Sequence, residues 1–304
     1  MNIGLIDVDG KNFPNLAIMK LSAYHKNMGN TVSWYYPIGS FDKVYASKVF
    51  TFSQMPQINH EVIIGGSGIN QLELPEEIEH MRPDYSFYKT ENTAFGFLTR
   101  GCPRNCAFCI VSKKEGNKSV LASPLKEFWK DQKRIVLLDP NILAYENADN
   151  LLNELKETRA FIDFTQGIDL RLLTDERIKL LSQIKTKYIH ASWDGKKQEK
   201  EVLEGLKKLI RHIPAYKIII YCLTGFDTDI SYDIYRVEYL RCLGVKPYIM
   251  IYEKEKAPKQ IRYLQRYCNN KMIFYSEPNF KNYYNSKKKA QNIKNDFELW
   301  RVEV

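Results

Sequence analysis

The sequence predicts an α/β chain in which a small Rossmann-like open sheet precedes a partial barrel of six β/α units, (β/α)6. Three observations predict it. Short, β-rich apolar runs alternate with amphipathic helical runs, the pattern of parallel βαβ units. The pattern changes near Ala94, after a stretch at about 70–92 that carries Pro75 and Pro83 and reads as a linker with one short helix. Six strands follow from Ala94 onward, too few for a closed barrel of eight. The expected divisions are 1–92, 93–274 and a basic, aromatic extension at 275–304.

The elements follow in order. Asn2 to Val8 is an apolar strand, and Asp9-Gly10 marks its turn. Pro14 opens a helix, NLAIMKLSAYHKNMG, with Leu16, Met19 and Ala23 on one face and Gly29 at the C-terminal cap. Thr31 to Tyr36, Lys43 to Ala46 and Val62 to Ile64 are strands, the last running into Gly65-Gly66-Ser67-Gly68. The second set of strands is Ala94 to Leu98, Arg134 to Leu138, Phe161 to Phe164, Tyr188 to Ala191, Lys217 to Leu223 and Tyr248 to Tyr252. The helices between them lie near 148–157, after the N-cap Thr174, up to about His212, at 228–243 and at 258–267.

Composition sets the frame for function. Hydrophobic residues make up 44% and charged residues 27%, which is ordinary globular usage and argues against a disordered or fibrous chain. No apolar run reaches the roughly 18 residues of a bilayer span, and MNIGLIDVDG lacks the pattern of a signal peptide. The expectation is a cytoplasmic protein without a membrane partner. The net charge of +9 suits an anionic partner, nucleic acid included, but a solvated basic surface explains it more simply.

The chemistry lies in TRGCPRNCAFCIV, residues 99–111, where Cys102, Cys106 and Cys109 are spaced C-x3-C-x2-C. In a reduced compartment so tight a group points to metal or redox chemistry rather than to disulfides. Three thiolates on one loop can hold three corners of an iron–sulfur cube and leave the fourth iron open to a substrate. Structural zinc would ask for a fourth ligand, which a distant residue such as Cys222 would have to supply. The loop also follows a strand, and in β/α barrels such loops form the active face.

This loop, with the aromatic Phe108 before the last cysteine, resembles that of the radical S-adenosylmethionine (radical SAM) superfamily, and the six strands resemble its partial barrel. The resemblance implies that Cys102, Cys106 and Cys109 ligate a 4Fe–4S cluster and that the amino and carboxylate groups of SAM chelate the fourth iron. Phe108 would contact the adenine region. One electron from the cluster would break a sulfur–carbon bond of SAM, giving methionine and a 5′-deoxyadenosyl radical that takes hydrogen from substrate. The electron would come from a reductant such as flavodoxin or ferredoxin.

The resemblance also assigns later strand ends to SAM. After the second strand, Asp139 and Asn141 stand where the family often has a Gly-Gly-Glu-like segment. After the third come Gln166, Asp169 and Arg171, where Arg171 would pair with the SAM carboxylate and Asp169 would orient it or bind a ribose hydroxyl. A plain salt bridge between Asp169 and Arg171 explains them equally well. Ser192 and Asp194 would hold ribose hydroxyls, although Asp194-Gly195 is also an ordinary turn. Gly225 would face adenine, while Asp227 and Thr228 fit a helix cap. His190 and His212 read as packing or surface residues. No catalytic residue is assigned.

The first seventy residues resemble the truncated cobalamin-binding domain that precedes many radical SAM barrels, on the Asp-x-Asp-Gly turn, the first helix and the Gly-Gly-Ser-Gly loop. The loop glycines would admit a flat or anionic ligand. The Asp-x-His-x-x-Gly motif that supplies a His to cobalt is absent and His25 lies within the helix, so the expectation is a domain without cobalamin that covers the barrel mouth or reads a partner. No cysteine precedes Cys102, unlike in methylthio-transferring members, and Cys222, Cys242 and Cys268 are too dispersed for a SPASM-type domain. The substrate class stays open among RNA, peptide and small molecule, with Lys281 to Lys294 suited to phosphates and bases. Two alternatives stand beside the main reading. One is a cobalamin-dependent radical methyltransferase, the other a non-catalytic iron–sulfur or zinc module that binds nucleic acid.

Overall fold

The computed structural model of the chain describes residues 1–10, 12–69 and 74–288. Four parallel strands form the first sheet: β1 (Asn2–Asp7), β2 (Thr31–Trp34), β3 (Lys43–Ser47) and β4 (Val62–Gly65), in the order β2-β1-β3-β4. Ile3 pairs with both Val32 and Lys43, which makes β1 an inner strand and explains its run of buried residues. Helix α1 (Leu16–Asn27) packs on the sheet through Ile18 and Leu21, against Ile3 and Leu5. Each such side chain contributes roughly 1.5–3 kcal/mol by leaving water. Pro14 does not open this helix. The cap is Asn15, whose side-chain oxygen accepts from the N–H groups of Ala17 and Ile18 at 3.1 and 3.3 Å. The buried face also includes Ser22 and His25, so it is wider than the expected Leu16-Met19-Ala23 stripe.

The stretch after β4 carries the short helix α2 (Glu76–Glu79) and a 3-10 turn at Tyr85–Tyr88. Next come β5 (Thr93–Gly96), the short β6 (Thr99–Arg100), helix α3 (Val111–Lys114) and β7 (Val120–Leu121). β6 and β7 pair antiparallel over only two residue pairs, a ribbon too short for sequence periodicity to reveal. β8 (Arg134–Leu137), helix α4 (Ala148–Glu157) and β9 (Phe161–Phe164) complete a three-stranded parallel sheet of order β5-β8-β9.

Helix α5 (Asp175–Gln183) begins at Thr174 as expected, with the Thr174 hydroxyl accepting from the Arg177 N–H at 3.2 Å. β10 (Ile189–Ser192), helix α6 (Glu199–Leu209), β11 (Ile218–Thr224), helix α7 (Ile230–Cys242) and β12 (Lys246–Ile251) follow, and the strands form a second parallel sheet, β10-β11-β12. Helix α7 is capped by Asp229, which accepts from the Tyr232 N–H at 2.9 Å, and not by Asp227 or Thr228. Helices α8 (Lys259–Asn269) and α9 (Lys271–Ser276) and a helical segment over 280–288 end the described chain. There Phe280 and Tyr283 are buried against Tyr267. The expected phosphate-binding stretch Lys281 to Lys294 lies outside the described residues beyond position 288.

The six strands expected from Ala94 onward are therefore present, as two three-stranded parallel sheets. The chain divides into two compact units, residues 1–166 with 183–186, and 167–182 with 187–304. Among the described residues no helix is long and apolar enough to cross a membrane.

Candidate functional site

The three cysteines lie in the first unit, on the loop that joins β6 to β7 beyond the carboxyl end of β5. The Cys102 N–H donates to the Gly116 carbonyl at 3.2 Å, and the Cys109 N–H to the Cys106 carbonyl at 2.9 Å. Asn105 adopts φ +46°, a left-handed turn that asparagine tolerates, between the first two cysteines. Gly101 adopts φ +82°, and a Cβ there would stand 2.2 Å from the Lys118 carbonyl oxygen, so the loop closes on a glycine by necessity. All three thiols are half-buried, as is Phe108.

Among the described residues no group of three His, Cys, Asp or Glu side chains is placed to hold a single metal ion. A single zinc needs every sulfur about 2.3 Å from one centre. Cys222, the distant fourth ligand that zinc would call for, is fully buried in β11, and burial pushes its thiol up to about 12. A thiol that resists ionisation is a poor metal ligand. Cys268 is likewise buried and its thiol pushed well up.

Asp139 follows β8 and turns back to the base of the cysteine loop. Its carboxylate accepts from the Leu98 N–H at 3.1 Å, the Thr99 N–H at 2.6 Å and the Thr99 hydroxyl at 2.7 Å. Burial nevertheless lifts its pKa from 3.8 to about 6. Both carboxylate oxygens thus serve the strand end that carries Cys102. Asn141 is buried, with its amide nitrogen 3.6 Å from the Cys102 sulfur. An N–H directed at a thiolate stabilises the charged sulfur of a cluster ligand. Gln166, just beyond β9, is exposed.

The remaining sequence-derived residues lie in the second unit. Arg171 makes a bidentate pair with Asp169, at 2.7 and 3.0 Å, and donates to Gln198 at 2.8 Å. Asp169 also caps its own short turn by accepting from the Arg171 N–H at 3.2 Å. This is the structural salt bridge that the sequence allowed as one of two readings. Ser192 ends β10, and Asp194 follows after the fully buried Trp193. Burial raises the Asp194 carboxyl, against a hydrogen bond from Ser192 and the nearby charge of Arg236. Gly225 follows β11 with φ +79°. His190 stacks on Tyr221 with centroids 5.3 Å apart, a packing role as expected.

Sequence reasoning missed Arg236. It is fully buried on α7, pairs with the equally buried Asp233 at 2.5 Å, and donates to the Trp193 carbonyl and, at 2.7 Å, to the Leu223 carbonyl. It thereby ties together the ends of β10 and β11, which carry Asp194 and Gly225. A charged pair at i, i+3 amid Tyr232, Val237 and Leu240 was the available signal.

The Gly-Gly-Ser-Gly loop has an explanation that needs no ligand. Gly66 has φ +105°, and a Cβ would meet the Lys48 carbonyl oxygen at 2.3 Å, so the loop approaches the protein's own backbone. His25 is buried in α1, with Asn30 3.2 Å from its ring nitrogen.

Comparison with solved structures adds one observation. The fold resembles that of a solved radical SAM enzyme. That protein is the radical S-adenosylmethionine methyltransferase TsrM from Kitasatospora setae, with cobalamin and a 4Fe–4S cluster bound. The TM-score is 0.61 at 12% sequence identity, over 82% of this chain and 74% of that one. Identity this low speaks for the fold alone. No protein-family model matches the sequence, and no curated protein does.

Proposed function

We propose that this chain is a radical SAM enzyme in which Cys102, Cys106 and Cys109 hold a 4Fe–4S cluster on a partial (β/α)6 barrel. The observation that carries this reading is a loop of three half-buried thiols at the carboxyl end of a parallel strand, while Cys222 and Cys268 are sealed in a core. That donor set fits a cube with one open iron and not a closed tetrahedral site. The bound cluster would supply the electron that cleaves SAM to methionine and a 5′-deoxyadenosyl radical.

The chain's own residues have defined tasks in this reading. Gly101 and Asn105 take the left-handed backbone turns that bend the loop carrying the three cysteines. Asp139 fixes the strand end before Cys102, and the Asn141 amide faces the Cys102 sulfur. Phe108 would lie against adenine, and Ser192 and Asp194 would meet ribose hydroxyls. Asp169 and Gln198 hold Arg171, which leaves it a weaker candidate for the SAM carboxylate. The test is anaerobic reconstitution, iron counting and detection of 5′-deoxyadenosine from SAM under dithionite. Four irons per chain and SAM cleavage are expected, both lost in a triple Cys→Ala variant. Reconstituted protein that cleaves no SAM under dithionite yet binds a nucleic acid specifically would overturn the reading in favour of a non-catalytic iron–sulfur or zinc module.

A second reading, a cobalamin-dependent methyltransferase, draws support from the cobalamin in the similar structure. That comparison gives no support to the expectation against cobalamin. The first sheet also presents exposed, stacked Phe50 and Phe52 beyond β3, apolar surface of the kind a flat ligand covers. A corrinoid absorbance in protein purified from cobalamin-fed cells would support it, and colourless protein would count against it.

A further inference from the structure

The β6–β7 ribbon has two residue pairs, too few to hold the loop between them. What holds it is a chain of charged side chains. The Gly101 N–H donates to Glu115 at 3.2 Å, and the Arg100 guanidinium meets the same carboxylate at 3.5 Å. Arg100 and Glu115 bracket all three cysteines, so the ion pair closes the loop on itself. On its other side Arg100 donates to Glu79 at 3.1 Å, and its guanidinium lies 4.1 Å from the Phe97 ring centroid. Glu79 in turn takes the buried ammonium of Lys20 at 2.9 Å, and the Glu79 carbonyl accepts from that ammonium as well. Lys20 belongs to α1, so the chain of contacts runs from the first sheet's helix to the residue before Gly101-Cys102.

These are not ordinary surface pairs. The side chains of Lys20 and Glu115 are only 7% and 10% exposed, and charges so placed persist only when paired.

We propose that Arg100 and Glu115 form a latch that holds the cysteine loop in its metal-binding shape before metal arrives, and that Glu79 and Lys20 anchor the latch to α1. They are positioning residues. Their relevance to catalysis rests on the cluster reading above, whereas the latch itself is tested on iron-free protein.

The test is the rate of iodoacetamide alkylation at each cysteine of iron-free, full-length protein, read by mass spectrometry. Exposed Cys242 serves as the internal control and buried Cys222 and Cys268 as sentinels for global opening. Arg100→Met and Glu115→Gln should each speed alkylation of Cys102, Cys106 and Cys109 about fivefold or more, with Cys242 unchanged. The double variant should be no faster than the faster single one, because either change opens the same latch. Unchanged rates, or effects that multiply in the double variant, would overturn the proposal. Should either variant make Cys222 or Cys268 reactive, Glu79→Gln carries the test, since it removes charge while keeping shape. A rise of about twofold is then expected, and no rise overturns the latch. Iron counting on reconstituted wild type separates the two ideas: protein that takes up no cluster refutes the enzyme reading, whereas the alkylation rates still decide the latch.

Discussion

Truncating Asp139 to alanine should destabilise the first unit, and by more in acid than at neutral pH. The Leu98 N–H, the Thr99 N–H and the Thr99 hydroxyl all lose their acceptor in a site that is 5% exposed. Each buried donor left unpaired costs roughly 1–3 kcal/mol. An opposing effect comes from the carboxylate itself, whose pKa rises from 3.8 to about 6 on burial. A raised carboxyl favours the fold fully below the unfolded pKa and loses that contribution as pH climbs through the folded one. At neutral pH the wild type therefore bears a cost of about 3 kcal/mol that the alanine variant lacks. Between about pH 7.5 and pH 5 linkage returns about 1.4 kcal/mol of it to the wild type. Urea unfolding of both proteins at these two pH values reads the difference directly, because all other titrating groups cancel. The gap between wild type and Asp139→Ala should widen by about 1.4 kcal/mol at the lower pH. A gap that stays constant, or is wider at pH 7.5, would show that Asp139 is not a buried clamp on the cysteine loop.

Substitutions at three further places test other parts of the account. Gly101→Ala brings a Cβ to 2.2 Å from the Lys118 carbonyl at φ +82°, so at least about 1–2 kcal/mol of backbone strain should appear, with reduced iron retention against a chelator. Gly66→Ala meets the Lys48 carbonyl at 2.3 Å and should lower the thermal midpoint while leaving iron content unchanged. Arg236→Met takes the ion-pair partner from the buried Asp233 carboxyl, at a cost of about 3–5 kcal/mol in denaturant unfolding, whereas Arg236→Met with Asp233→Leu should recover much of the loss.

The sequence made some of this legible and concealed the rest for physical reasons. That three thiols share one short loop was legible because their spacing is local. The strands from Phe95 to Ile249 were legible because buried parallel strands read as continuous apolar runs. Thr174 was legible as a cap because an N-cap acts over three residues. Asp139 was read toward SAM, yet its partners are backbone N–H groups far away in sequence, and a backbone donor leaves no mark in the residue string. The glycines before Ser67 and Ile69 were read toward a ligand, while at Gly66 the close neighbour is the chain's own Lys48. Arg236 escaped notice because a buried arginine and a solvated one have the same letter; only its partners, Asp233 and two carbonyls, distinguish them.

The most direct measurement is electron paramagnetic resonance of the reconstituted, dithionite-reduced protein with and without SAM. A cluster held by Cys102, Cys106 and Cys109 alone should give a reduced 4Fe–4S signal whose g values shift when SAM occupies the open iron. A signal that SAM leaves unchanged, or no cluster signal at all, would contradict the account.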